Sequence, residues 1–155
     1  MRLLISGSVG AGKSTIAKEL SKVLKINVYE VTDLEKINPK IIESVDEEGV
    51  KILDLKEINK TLENFDSFIF PCHVAHLLNI KDSKLLIVRA GLPELRKRLV
   101  KRGYSEKKIK DNLDVEIFNT IMFEALENKG FDAMVVNNEG KLKKRVEMTL
   151  KNLKV

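Results

Sequence analysis

Residues 7–14 read Gly-Ser-Val-Gly-Ala-Gly-Lys-Ser, and no other stretch restricts this chain as tightly. They fit the pattern G-x-x-x-x-G-K-[ST] at every fixed position. The preceding residues, Arg2–Ser6 (RLLIS), read as a short buried strand. From Lys13 to Leu24 the residues Ile16, Ala17, Leu20, Val23 and Leu24 recur at helical spacing. A glycine loop between a strand and a helix suits a phosphate chain laid against backbone N–H groups. A Cβ would block that approach, and glycine also tolerates the dihedrals it needs. The helix start adds partial positive charge and unpaired amides. In this geometry Lys13 reaches the terminal phosphates as a point charge and Ser14 offers its hydroxyl to Mg²⁺. Thr15 bonds a phosphate nearer the nucleoside. The expected nucleotide-binding set is Gly10, Ala11, Gly12, Lys13, Ser14 and Thr15, with ATP and Mg²⁺ as cofactors. The competing reading is an ordinary glycine-rich strand–helix turn.

Further along, Asn27–Val31 alternates like a second strand, and Thr32-Asp33 is expected to cap a short helix that ends at Pro39. Residues 43–51 are acidic and turn-like, and Ile52–Leu62 reads as helical after a brief extended piece. Ser67–Phe70 is a third apolar run, stopped by Pro71, and Leu85–Val88 is a fourth. Leu92–Val100 is an amphipathic basic helix, broken at Arg102-Gly103-Tyr104. Ser105 then stands as the N-cap of a long helix running to about Asn128. Phe131–Val136 is a fifth strand and Glu139–Leu153 a closing helix. Five alternations of apolar runs and helices predict one α/β domain, residues 1–155, with a five-stranded parallel sheet covered on both faces.

Composition narrows the partners. A chain of 155 residues can bury a core without disulfides, and its one cysteine, Cys72, cannot pair internally or form a paired-cysteine zinc site. No apolar run nears the ~20 residues of a membrane span, so the expectation is a cytoplasmic protein with no membrane partner. A net charge of +5 gives mild attraction to phosphate-rich partners without an RNA-binding pattern.

Several other groups are candidates. His73 and His76 follow the third strand, where open parallel sheets gather ligands; both also fit as packing residues. Enzymes with this loop carry an acid near that strand end to hold the Mg²⁺ hydration shell. Pro71 and Cys72 cannot serve, which leaves Asp33 and Asp54 as ligands or helix caps. A transferred phosphoryl group needs cations that arrive as a lid closes, and Arg102 beside Gly103 is placed for that, with Arg98 in support. Arg96, Lys97 and Lys101 read as a solvated face. Asn112 and Glu116, four apart, suit helix stabilisation.

The glycine loop, His73 and the stretch KRGYSEKKIKDNLDVEIF together resemble the atypical adenylate kinase family, sixth isoenzyme type. Arg102, Gly103, Tyr104, Asn112, Glu116, Ile117 and Phe118 stand at matching positions, and VDEEGVKILD (residues 45–54) resembles the family's acidic segment. The likeness spans nearly the whole chain. It implies a three-layer P-loop kinase core with two insertions, residues 30–54 around a nucleoside monophosphate and a lid at 101–111. It also implies phosphate transfer from ATP to AMP, ATP hydrolysis, and association with a small-subunit ribosomal protein during processing of pre-ribosomal RNA. On this footing Lys13, Arg102 and His73 are the expected catalytic residues, with Arg102 also contacting the nucleotide, and Asp33, Lys36 and Arg98 the expected substrate-side residues. Lys36 replaces a family arginine and so offers charge without a bidentate fork. Pro71 stands where the family often has an acid, which leaves the residue that positions Mg²⁺ unassigned. A nucleotide-gated ribosome assembly factor with slow ATP turnover is the alternative, and a kinase for another small acceptor a third reading.

Overall fold

Leu3, Leu4 and Ile5 are all fully buried, so β1 (Arg2–Ser6) carries apolar side chains on both faces and needs cover on both. The computed structural model describes residues 1–129 and 133–155. Its main sheet has the order β4-β1-β5-β6 among the described residues, with β4 at Phe68–Pro71, β5 at Ser83–Arg89 and β6 at Ala133–Asn137. Every pairing in it is parallel, and Leu4 stands between Phe70 and Leu85.

Successive residues of β1 point to opposite faces. Leu3 and Ile5 join Ile16 and Leu20 of α1 (Lys13–Leu24), Leu95 and Leu99 of α4 (Leu92–Lys101), Ile109 of α5 (Glu106–Ile117) and Val146 of α7 (Leu142–Leu153). Leu4 faces Leu34 of α2 (Val31–Ile37), Ile58 and Leu62 of α3 (Leu55–Glu63), and Ile121 and Ala125 of α6 (Thr120–Lys129). The result is three layers, helix–sheet–helix. Each fully buried Leu or Ile contributes roughly 1.5–3 kcal/mol, and both helical layers are anchored on the same strand. The loop that leaves β1 is therefore fixed to a strand packed on both faces.

The structure corrects the expected fold in specific places. Among the described residues the sheet has four strands, not five. Residues 27–29 only brush its edge: Val28 makes one isolated bridge to Ile69, Ile69 N donates to Asn27 O and Tyr29 N to Ile69 O. The chain then turns into α2, too soon for a ladder. Thr32 and Asp33 do not start that helix; Glu30 is its N-cap, and Asp33 sits three residues in, accepting from Glu30 N at 2.8 Å. Pro71 does not stop β4 but is its last residue, paired with Ile5.

The acidic stretch expected as a turn is a hairpin of β2 (Ile42–Val45) and β3 (Lys51–Leu53). Asp46 Oδ1 closes it by accepting from the amides of Glu48 and Val50. Ser105 does cap α5, accepting from Lys108 N at 3.2 Å. The long helix after it is two helices, broken at Phe118-Asn119, where Asn119 takes φ 51°. In the fifth expected strand, Phe131 and Asp132 lie outside the described residues, and β6 is Ala133–Asn137. No described helix is long and apolar enough to cross a membrane.

Candidate active site

The loop between β1 and α1 is shaped by what surrounds its glycines. A Cβ on Gly7 would lie 2.3 Å from the Val88 carbonyl oxygen of β5, so the chain can leave β1 this close to its neighbour only as glycine. Gly12 is the N-cap of α1 at φ 96°, a left-handed conformation. Its first-turn amides have no acceptor within the helix. Lys13 folds back over the loop, donating from Nζ to Gly7 O at 2.7 Å and to Ser8 O at 2.9 Å. Burial, with the Arg102 guanidinium adding to it, lowers the Lys13 pKa to about 8, against the opposing pull of Cys72, Glu30 and Glu116.

A cleft of about 290 Å³ opens over this loop beyond the carboxyl ends of β1 and β4, where an open parallel sheet places ligands. Gly10, Gly12, Lys13, Ser14 and Thr15 form one wall, and His73 and Arg102 reach it from elsewhere in the chain. Arg102 is the C-cap of α4 and is exposed, next to Gly103 at φ 76°. His73 follows β4. Loss of surrounding water, then the Lys13 ammonium and His76, hold its pKa below the usual histidine value, so its ring is neutral at pH 7. Pro71 and Cys72 also line the cleft. Burial pushes the Cys72 thiol above its ordinary pKa, which keeps it protonated and poorly nucleophilic.

Other expected site residues lie elsewhere. Ala11 is fully buried, and its amide donates to Ser8 O at 3.1 Å inside the loop. Arg98 braces the loop from behind, donating to Gly10 O at 2.9 Å and to Glu94 at 3.1 Å. Asp33 and the exposed Lys36 sit on α2 and are not in the cleft lining. Asp54 is a helix cap, its Oδ1 accepting from Lys56 N and Glu57 N.

His76 is a core residue, 2% exposed. Its Nδ1 lies 2.7 Å from Ser6 Oγ and its Nε2 2.7 Å from Glu124 Oε2. Ser6 Oγ is also 3.1 Å from the His73 carbonyl, so this chain of bonds holds the β4 loop against the end of β1. Among the described residues no group of three His, Cys, Asp or Glu side chains could hold a metal ion.

Two functional groups were not foreseen from sequence. Glu116 is buried, 6% exposed, and accepts from Ser8 Oγ at 2.8 Å and from Arg89 Nε at 2.8 Å. It thus ties the phosphate loop to the end of β5, a role beyond helix stabilisation. Asn112 does stay within its helix, donating to Lys108 O. Glu30 lines the same cleft as Lys13. An acid directly after the NVY run was the available signal for Glu30; for Glu116 it was the match to the family stretch, which says nothing of Ser8 or Arg89.

Comparison with known proteins agrees with this fold. Residues 3–119 match the family described as "AAA domain". A protein of Methanocaldococcus jannaschii named "Putative adenylate kinase" is 30% identical over 129 residues, covering 81% of this chain and 72% of that one. In fold the chain resembles shikimate kinase from Bacteroides thetaiotaomicron, with a TM-score of 0.68, 15% identity, and coverage of 100% and 99% of the two chains. It also resembles deoxyadenosine kinase from M. mycoides, with a TM-score of 0.67, 18% identity and full coverage of both chains, 100% each. At those identities the two structures speak for the P-loop kinase fold alone.

Proposed function

The chain belongs to the AAA-domain family, matched over residues 3–119, and from that premise we propose that it is a nucleoside monophosphate kinase using ATP, with AMP as acceptor. The observation that carries the proposal is convergence. The first turn of α1 with Lys13, then His73, then Arg102 come from three places in the sequence and meet at one cleft. The similarity to the Methanocaldococcus jannaschii protein named "Putative adenylate kinase" supports the choice of AMP.

In this reading an oxygen of the AMP phosphate attacks the γ-phosphorus of ATP. The bond from that phosphorus to the β–γ bridging oxygen breaks, and two ADP result. Such a reaction asks for alignment and for stabilisation of charge on the transferring oxygens. Amides at the start of α1 and the Lys13 ammonium hold the polyphosphate. Arg102, at the C-terminal end of α4, adds its charge as residues 101–111 close and exclude water. Incomplete closure admits water and gives ATP hydrolysis. The neutral His73 ring can accept a hydrogen bond and orient the incoming phosphate or a water. Residues 30–54, which comprise α2 and the β2–β3 hairpin, embrace the monophosphate, with Lys36 and Asp33 on that side. Arg98 contributes by bracing Gly10 rather than by touching substrate.

The donors present suit Mg²⁺, which takes oxygen ligands and keeps much of its water: the Ser14 hydroxyl is exposed at the cleft, and the Glu30 side chain shares it. Bound there, the ion would neutralise charge on the phosphates. A ribosomal-protein or pre-ribosomal RNA partner, and the assembly-factor reading with it, rests on the family resemblance alone.

The test is a product assay of ATP against a panel of nucleoside monophosphates. The proposal expects AMP to accelerate ATP loss with ADP as the sole product. Phosphate release indifferent to every monophosphate would overturn it.

A further inference from the structure

A magnesium ion on a polyphosphate is held by one or two carboxylates and retained water. The usual place for such an acid in a P-loop enzyme, the end of the strand beside β1, is Pro71 here, followed by the buried thiol of Cys72. The other candidate acids are committed elsewhere. Asp33 Oδ2 accepts from Glu30 N, and Asp54 Oδ1 from two amides of α3. Glu116 is buried between Ser8 and Arg89.

Glu30 remains. It follows residues 27–29, which the Val28–Ile69 bridge and the Tyr29 N to Ile69 O bond hold against β4. Asp33 fixes its backbone through a 2.8 Å bond. Its side chain lines the same cleft as Ser14 and Lys13, and its negative charge is felt by the Lys13 ammonium.

We infer that Glu30 is the acid that positions Mg²⁺ on the bound triphosphate, together with Ser14, in place of the missing carboxylate at position 71. The function has moved one strand across the sheet, from the end of β4 to the end of the extended piece beside it. This rests on the kinase reading of the same cleft. A carboxylate there has two opposite effects. Without the ion it repels the phosphates; with the ion it binds the hydration shell. Removing its charge should therefore weaken the coupling between metal and nucleotide while leaving, or improving, metal-free binding.

The test is calorimetric titration of the imido analogue of ATP, which cannot be hydrolysed, into wild type, Glu30→Gln and Glu30→Asp, with and without Mg²⁺. Wild type should bind the analogue about 10-fold or more tightly with Mg²⁺ than without, a coupling of ordinary size. Glu30→Gln should lose most of that gain while its metal-free affinity equals or exceeds wild type, which also shows that its loop is intact. Glu30→Asp should recover part of it. Mn²⁺ in the ternary complex should show a changed electron-spin resonance spectrum in Glu30→Gln. An unchanged metal-dependent gain in Glu30→Gln overturns the assignment, as does a loss of AMP affinity with the metal coupling intact. No binding of the analogue by wild type would remove the triphosphate site itself, a failure distinct from that of Glu30.

Discussion

Truncating Glu116 to alanine removes the carboxylate that joins the phosphate loop to β5. Two charge-assisted bonds go at once, from Ser8 Oγ and Arg89 Nε, each 2.8 Å long. Such bonds contribute ~1.5–3 kcal/mol each when a buried partner is left unsatisfied. The Arg89 side chain is 37% exposed, so water can replace part of its loss, whereas Ser8 is 3% exposed and can recruit little. The expected destabilisation is about 3 kcal/mol.

For 155 residues, an unfolding entropy near 2.1 cal/mol/K per residue gives about 0.33 kcal/mol/K, so the melting temperature should fall by ~9 °C. Glu116→Gln keeps the shape and one acceptor and should lose about a third to a half of that. Scanning calorimetry of both variants and of Ser8→Ala, with calorimetric ATP titration beside it, reads stability and loop position together. Glu116→Ala melting within ~2 °C of wild type, with unchanged ATP affinity, would refute the view that this carboxylate holds the loop.

Three further outcomes are expected. The Lys13 pKa is lowered to about 8, and the polyphosphate needs the ammonium, so ATP affinity should be flat below that pH and fall up to ~10-fold per unit above it, with proton uptake on binding. In the free protein the same lowered value means that the unfolded chain binds more protons between about pH 8 and 10.5, so this group's contribution to stability rises with pH across that window; calorimetry in buffers of differing ionisation enthalpy checks the uptake. Arg102→Ala should lower kcat by about 10² or more while ATP affinity stays within ~3-fold; a collapse of affinity with kcat kept would make Arg102 a binding group only.

What the sequence disclosed was local, and what it hid was distant. The ends of α1 were readable to the residue, because the glycine loop sets its start and apolar spacing its length. The buried strands β1, β4 and β5 stood out as short apolar runs for the same reason. The stretch Asn27–Val31 has strand-like alternation, but a ladder needs a partner strand of matching length, and the capping interaction at Glu30 turns the chain into α2 first. The break between α5 and α6 has neither glycine nor proline to announce it; Asn119 supplies the left-handed turn. Within the site, Lys13 and its neighbours were legible as a motif. Glu116 lies 108 residues from its partner Ser8, and Glu124 lies 48 from His76, so their roles exist only after folding.

The central claim is that the amides and ammonium at the start of α1 grip a polyphosphate. Thermal melting with and without MgATP measures this directly. At about 100 times the dissociation constant, binding should stabilise the fold by about 2.7 kcal/mol, or ~8 °C, and Lys13→Ala should lose most of that protection. A wild-type protein that melts at the same temperature with saturating MgATP as without it would contradict the account.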